Sequence, residues 1–364
     1  MATATATVTL SITLSAMLLA MASLSSEVVK PVLAEQLPVF EAGDISTKRI
    51  SVDTSPKPLF IISPTVEGNY PVFLFFPGTC SSNSAYSRLF NHIASHGYIV
   101  VAPQLYTCPD IIPTTSENDE LNHAAETANW LLSGLDAALP DNVKGNLQQL
   151  AVSGHSRGGK AAFALALGYS NVPLQVPISI LVGVDPVAGW SKGCRCNPKI
   201  LTYVPNSFNL SIPVTVIGSG LGDQKFFNII HPCAPSGVNH KEFYSESKPP
   251  IGYFVATEYG HMDILDDHER IFNFCNGNNH RDPLRRTVGG IIVAFLNGYF
   301  RFETKDYLTI ANDPTVAPVD LNPGFFINET QESLVKLGDS YSFKFDLFCI
   351  LDWVPGCHSN IVYM

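Results

Sequence analysis

"LQQLAVSGHSRGGKAAFALALG", residues 147–168, passes from an apolar stretch through a glycine-bearing bend into a run of small helix formers. At its centre stands Gly154-His155-Ser156-Arg157-Gly158, the spacing G-x-S-x-G. The flanks predict strand, sharp turn and helix, and such a turn holds its serine in a strained conformation with the hydroxyl exposed. Glycines two positions away on each side remove side chains that would collide where strand and helix cross. The N-terminus of the following helix favours negative charge beside the serine. The bare spacing arises by chance in about one chain in ten of this length, so the flanking pattern carries the reading. That reading is a nucleophile elbow, with Ser156 as nucleophile and Gly154 and Gly158 as its spacers.

Outward from the elbow, short apolar runs recur at 59–64, 72–78, 98–103, 178–186, 212–220 and 252–260, each ending in Gly or Pro. Runs that are apolar throughout are those of strands buried on both faces. Helical stretches are expected at 84–97, 117–139, 158–168 and 286–301. The alternation predicts an α/β fold with a mostly parallel central sheet flanked by helices on both faces. No linker divides residues 40–312, so one domain is expected over 35–312, followed by an extension of unassigned role at 313–364.

The chain has 364 residues, 46% of them hydrophobic, enough for a large core. Its formal charge is −10 without a basic run, which argues against nucleic acid as a partner. Residues 1–26 carry no charge, and their apolar part, Leu10–Ala22, is short for a membrane span. Val32 and Ala34 are placed like the small residues before a cleavage site, so 1–34 is expected to be a removable targeting segment. It lacks the basic start of a secretory signal and the arginines of a transit peptide. Eight cysteines are present, and in a chain with so large a core they need not be structural staples. Cys194-x-Cys196 has no second ligand pair at zinc spacing, so no metal is expected. Two glycosylation sequons begin at Asn209 and Asn328.

In an open α/β sheet the ligand sits beyond the carboxyl ends of the strands. His261 follows the run 252–260 directly and is the expected general base. A metal set of His261, Asp263, Asp267 and His268 lacks further ligands elsewhere in the chain. The acid that orients the base is either Asp185, at the end of 178–186, or Asp223, beyond a Gly-rich loop after the next strand. Asp185 is favoured because it follows its strand directly. An oxyanion hole needs two backbone N–H groups, expected from Arg157, after the nucleophile, and from Thr79, after the tight turn at Gly78. Cys80 beside it is expected to be a packing residue. Segments 106–118 and 220–250 are candidate walls or lids.

"GHSRGGK" (154–160), "VDPV" (184–187), "EYGHMD" (258–263), "PVFLFFPGT" (71–79) and "YSRLFNHIASHGYIVVAPQLY" (86–106) together resemble the plant chlorophyllase family of the α/β-hydrolase superfamily. The resemblance runs over about 38–320. It implies an α/β-hydrolase fold, no cofactor, and a serine carboxylesterase that cleaves the phytyl ester of chlorophyll to chlorophyllide and phytol. It also puts the family's nucleophile on Ser156, its acid on Asp185 and its histidine on His261. The family often has His-Gly where this chain has Pro77-Gly78. A general carboxylesterase or lipase for other lipid esters is the alternative enzyme. A non-catalytic ligand-binding hydrolase fold is the non-enzyme alternative, disfavoured because all three triad candidates stand. Peripheral contact with the membrane that holds chlorophyll is implied by the substrate. The leader and sequons point to the endomembrane route or vacuole, and the pigment points to the chloroplast.

Overall fold

In the computed structural model, which describes residues 37–106, 108, 114–225, 231–267, 275–278 and 280–328, the apolar runs become the middle of one sheet. Its strands are β1 Thr47–Val52, β2 Leu59–Pro64, β3 Gly68–Phe76, β4 Ile99–Pro103, β5 Val143–His155, β6 Ile180–Val184, β7 Val214–Ser219, β8 Ile251–Ala256 and β9 Leu321–Ile327. The helices are α1 Ser87–Ser95, α2 Glu117–Ala138, α3 Arg157–Ala166, α4 His240–Glu246, α5 Asp282–Phe300 and α6 Lys305–Asn312. The strand order is β1-β2-β4-β3-β5-β6-β7-β8-β9. Every pair from β4 to β8 is parallel, while β1–β2, β2–β4 and β8–β9 are antiparallel.

Side chains alternate across a strand, and both faces of this sheet are covered. Phe73 and Phe75 of β3 pack into the core beneath α1 and α5, whereas Val72, Leu74 and Phe76 pack into the opposite core with α2 and α3. That double burial is why these runs show no polar alternation. Helix α2 starts where Ser116 accepts the Asp119 N–H, with Glu117, Asp119 and Glu120 in its first turn facing the positive end of the helix dipole. Past the end of α1, Gly97 takes φ +86°, the left-handed conformation that stops a helix.

Strand β9 lies in the stretch set apart above as an extension, so the sheet reaches beyond residue 312. Its sequence, Leu-Asn-Pro-Gly-Phe-Phe-Ile, hides the strand because Pro and Gly interrupt the apolar pattern. Proline is tolerated there because β9 is an edge strand. Residues 1–34 and 329–364 lie outside the described residues.

The cysteines correct the sequence reading. Cys80 is bonded to Cys108 and Cys233 to Cys275, and Cys194 is also disulfide-bonded. Cys80 is therefore a cross-link rather than only a packing residue. Both described bridges join loops that leave the carboxyl ends of neighbouring strands, β3 with β4 and β7 with β8. The bridges add to packing there, since Cys275 is buried in the core and Cys233 and Cys108 pack against core residues. Among the described residues no helix is long and apolar enough to cross a membrane.

Candidate active site

Ser156 sits between β5 and α3 with φ 57° and ψ −128°. Positive φ strains a residue with a side chain, so surrounding bonds must hold it. The Ser156 N–H donates to the Val184 carbonyl at 3.1 Å, and its own carbonyl accepts from Val187 N at 3.0 Å and Lys160 N at 3.1 Å. A Cβ on Gly158 would run into the carbonyls of Phe76 and Pro77, and one on Gly154 into the carbonyl of Gly158. The two glycines let α3 cross β3 and β5 at contact distance.

Asp185 follows β6, and His261 lies in the loop after β8, so both reach the rim where Ser156 stands. The two side chains are 4% and 3% exposed residues, and His261 Nδ1–H donates to Asp185 Oδ2 at 2.7 Å. The Ser219 N–H donates to Asp185 Oδ1 at 3.2 Å, and the Ser219 hydroxyl donates to Oδ2. Burial pushes the Asp185 pKa up, but the His261 bond and charge, with His240 and Ser219, outweigh it and hold the carboxyl well below the usual range. Asp223 faces Lys241 instead, with Oδ2 3.1 Å from Nζ. Of the two candidate acids, the one bonded to His261 is Asp185.

His155, the residue between the first elbow glycine and the serine, is fully buried. Its Nε2 lies 3.0 Å from the His261 carbonyl oxygen, which can only accept, so Nε2 carries the proton. Burial pushes the His155 pKa down to about 3, so the ring is neutral and Nδ1 is an acceptor. The Tyr86 hydroxyl, 2.9 Å from Nδ1, therefore donates to it. Tyr86 in turn accepts the Gly78 N–H at 3.0 Å. One chain of hydrogen bonds thus runs from the turn after β3, through the elbow, to the backbone of His261. Thr79 follows Gly78 inside a tight turn closed by Ser81 N–H to the Gly78 carbonyl at 3.1 Å.

Arg157 opens α3, where the first backbone N–H groups have no partner within the helix. Its guanidinium is clamped by the buried Glu120, with Nη2 and Nε 2.6 and 2.7 Å from Oε2. The Tyr106 hydroxyl donates to Glu120 Oε1 at 2.6 Å, and the Tyr106 ring faces the guanidinium at 5.3 Å. Burial lowers the Arg157 pKa, but the Glu120 charge overrides it and holds the guanidinium charged. Sequence reading missed Tyr86, Ser219, Glu120 and Tyr106, and no spacing signal marks them. His155 was visible in the motif but carried no predicted role.

The carboxylates once weighed as metal ligands have other partners. Asp263 Oδ2 accepts three N–H groups, from Gly260, Gly277 and Asn278, and Asp267 pairs with Arg88 and Arg285. His268 lies outside the described residues.

A serine in a strand–turn–helix elbow beside a buried Asp–His pair, on the carboxyl rim of a mostly parallel sheet, belongs to an α/β-hydrolase fold. A sequence model of chlorophyllases matches residues 35–327. Chlorophyllase type 0 of Chenopodium album is 50% identical over 279 residues, covering 74% of this chain and 78% of the relative. The chloroplastic chlorophyllase-1 of Citrus unshiu is 48% identical over 315 residues, covering 82% and 92%. A cutinase of Thermobifida alba matches 33% of this chain at 28% identity. The chain belongs to the chlorophyllase family, and is a carboxylic ester hydrolase.

Proposed function

We propose that the protein hydrolyses the phytyl ester of chlorophyll to chlorophyllide and phytol, with Ser156 as nucleophile, His261 as base and Asp185 as its orienting acid. The observation that carries the reading is the buried 2.7 Å bond from His261 Nδ1 to Asp185 beside the elbow. With Nδ1 fixed as the donor, Nε2 is the ring nitrogen free to take the Ser156 proton. Ser156 Oγ attacks the ester carbonyl, and the oxyanion is held by the backbone N–H groups of Thr79 and Arg157. The Gly78 N–H is engaged by Tyr86, which supports assigning the loop donor to Thr79. His261 then protonates the phytol oxygen, and phytol leaves the acyl-enzyme. Water, deprotonated by His261, attacks the acyl carbon, and Ser156 recovers its proton as chlorophyllide departs. The Citrus relatives are named chloroplastic, which favours the chloroplast over the endomembrane route as the site of action.

The test compares Ser156→Ala, Asp185→Asn and Asp223→Asn on chlorophyll and on a short p-nitrophenyl ester. Ser156→Ala is expected to abolish turnover of both. Asp185→Asn should lower kcat by about 10⁴, the cost of losing the orienting carboxylate in such triads. Asp223→Asn should stay within about two-fold of the unaltered enzyme, since its carboxylate meets Lys241. Inactivation by Asp223→Asn with Asp185→Asn active would refute the assignment, and turnover of short esters alone would refute the substrate.

A further inference from the structure

The segment that leaves β6 after the orienting acid has an unusual charge for this chain. Residues 186–213 contain Lys192, Arg195 and Lys199 and no Asp or Glu, in a protein whose formal charge is −10. The segment starts at the site itself: Val187 N–H donates to the Ser156 carbonyl at 3.0 Å. It then forms a narrow loop, with Trp190 N–H to the Cys194 carbonyl at 2.9 Å and Cys196 N–H to the Ala188 carbonyl at 2.8 Å. Trp190 projects from this loop and is 60% exposed. The returning arm brings Val204, 56% exposed, to the same place, because Lys192 Nζ lies 4.1 Å from the Tyr203 ring centre. Arg195 covers the same ring and donates to the Leu201 carbonyl at 2.6 Å, so the loop is braced.

Two carboxylates that meet the segment are tied to its backbone. Glu246 is buried and accepts the N–H groups of Thr202 and Tyr203, and Glu117 accepts the Asn197 N–H at 2.6 Å. The segment therefore presents an exposed indole and an exposed valine together with two exposed lysines, Lys192 and Lys199. Two other exposed apolar side chains among the described residues stand beside an acid instead: Val66 is followed by Glu67, and Phe302, 88% exposed, by Glu303. One edge of the Trp190 ring meets His231 at 5.6 Å and the rest of the indole is exposed in a segment whose only charges are cations, a combination that fits the interface of an anionic bilayer. The overall negative charge keeps the rest of the molecule off such a surface, so the patch also fixes orientation.

We infer that Trp190, Val204, Lys192 and Lys199 form a docking patch for an anionic lipid surface, which sets the mouth of the Ser156 site against the bilayer. The inference rests on the proposed function only for its purpose: an ester with a phytyl chain is held in a membrane and has to be met there. Docking is read separately from hydrolysis.

The experiment measures binding of the full chain to pigment-free vesicles, either zwitterionic phosphatidylcholine or phosphatidylcholine with phosphatidylglycerol. The proteins are unaltered, Trp190→Ala/Val204→Ala, and Lys192→Glu/Lys199→Glu. The unaltered chain should bind the anionic vesicles more tightly, with a blue shift of tryptophan emission that Trp190→Ala/Val204→Ala loses. Each lysine removed should weaken binding about five-fold, so the double charge reversal should weaken it about 25-fold or more. Turnover of a soluble short ester should stay unchanged in both variants, which also reports that they fold. Equal binding to both vesicles, or unchanged vesicle binding by the variants, overturns the inference and leaves the patch to a protein partner or a second copy. Loss of short-ester turnover with unchanged vesicle binding would assign Trp190 to the substrate pocket and overturn it as well. Absence of chlorophyll hydrolysis with intact patch-dependent docking would instead sink the proposed substrate and spare the patch.

Discussion

Tyr86 does its work through one oxygen. Its hydroxyl accepts from Gly78 N–H, next to the proposed oxyanion donor Thr79, and donates to His155, which holds the backbone of His261. Replacing Tyr86 by Phe leaves the ring packed on Phe75 and Phe90 but removes both bonds. Two buried polar groups then lose their partner, at about 1–3 kcal/mol each. Tyr86 acts as a positioning residue, so Tyr86→Phe is expected to lower kcat about ten-fold with KM within two-fold. Steady-state kinetics well below the melting temperature checks this. A fall in Tm with unchanged kcat would mean that the hydroxyl serves stability alone.

Among the elements, β9 illustrates how an edge strand completes a site scaffold. β8 leads directly into the loop carrying His261, and β9 covers its open side. Phe325 of β9 packs on Tyr253 of β8 at 5.9 Å and on Tyr244 of α4 at 5.5 Å, and the two tyrosines stack at 4.3 Å. Aromatic pairs of this kind are worth about 0.5–1.5 kcal/mol beyond the area they bury. Phe325→Ala is expected to destabilise the fold by about 2 kcal/mol, less than a fully buried Phe because its ring is half-buried. Urea denaturation measures this, and activity per folded molecule should persist. A change below about 0.5 kcal/mol would show that β9 is held by its backbone ladder alone.

For the molecule as a whole, buried histidines set the acid limit. Burial pushes His92 down to about 4 and His155 to about 3, and each donates Nε2–H to a carbonyl, Val39 for His92 and His261 for His155. In the unfolded chain the same rings titrate near 6.5. Between those values the unfolded state holds more protons, so their contribution is present above pH about 6.5 and lost as pH falls toward 4. Each site adds a slope of about 1.4 kcal/mol per pH unit. Asp185, held below the usual carboxylate range, works in the same direction at lower pH. Unfolding free energies at pH 7, 6 and 5 should therefore fall steadily, and His92→Gln should flatten the slope by one proton. Stability that rises below pH 6, or an unchanged slope in His92→Gln, would contradict this account.

What the sequence by itself determined was whatever depends on neighbours along the chain. The doubly buried strands, the elbow glycines around Ser156, and the positions of Asp185 and His261 just beyond their strands are local patterns of period, turn and backbone crowding. What only the tertiary structure decided were the pairings across it. Asp185 rather than Asp223 meets His261 across 76 positions, Tyr86 reaches His155 across 69, and Glu120 clamps Arg157 across 37. Cys80 finds Cys108 because β3 and β4 lie side by side, and β9 is a strand because β8 offers it an unpaired edge. Sheet order fixes such meetings, and sheet order is settled by the packing of all the elements together, which no short window of residues encodes.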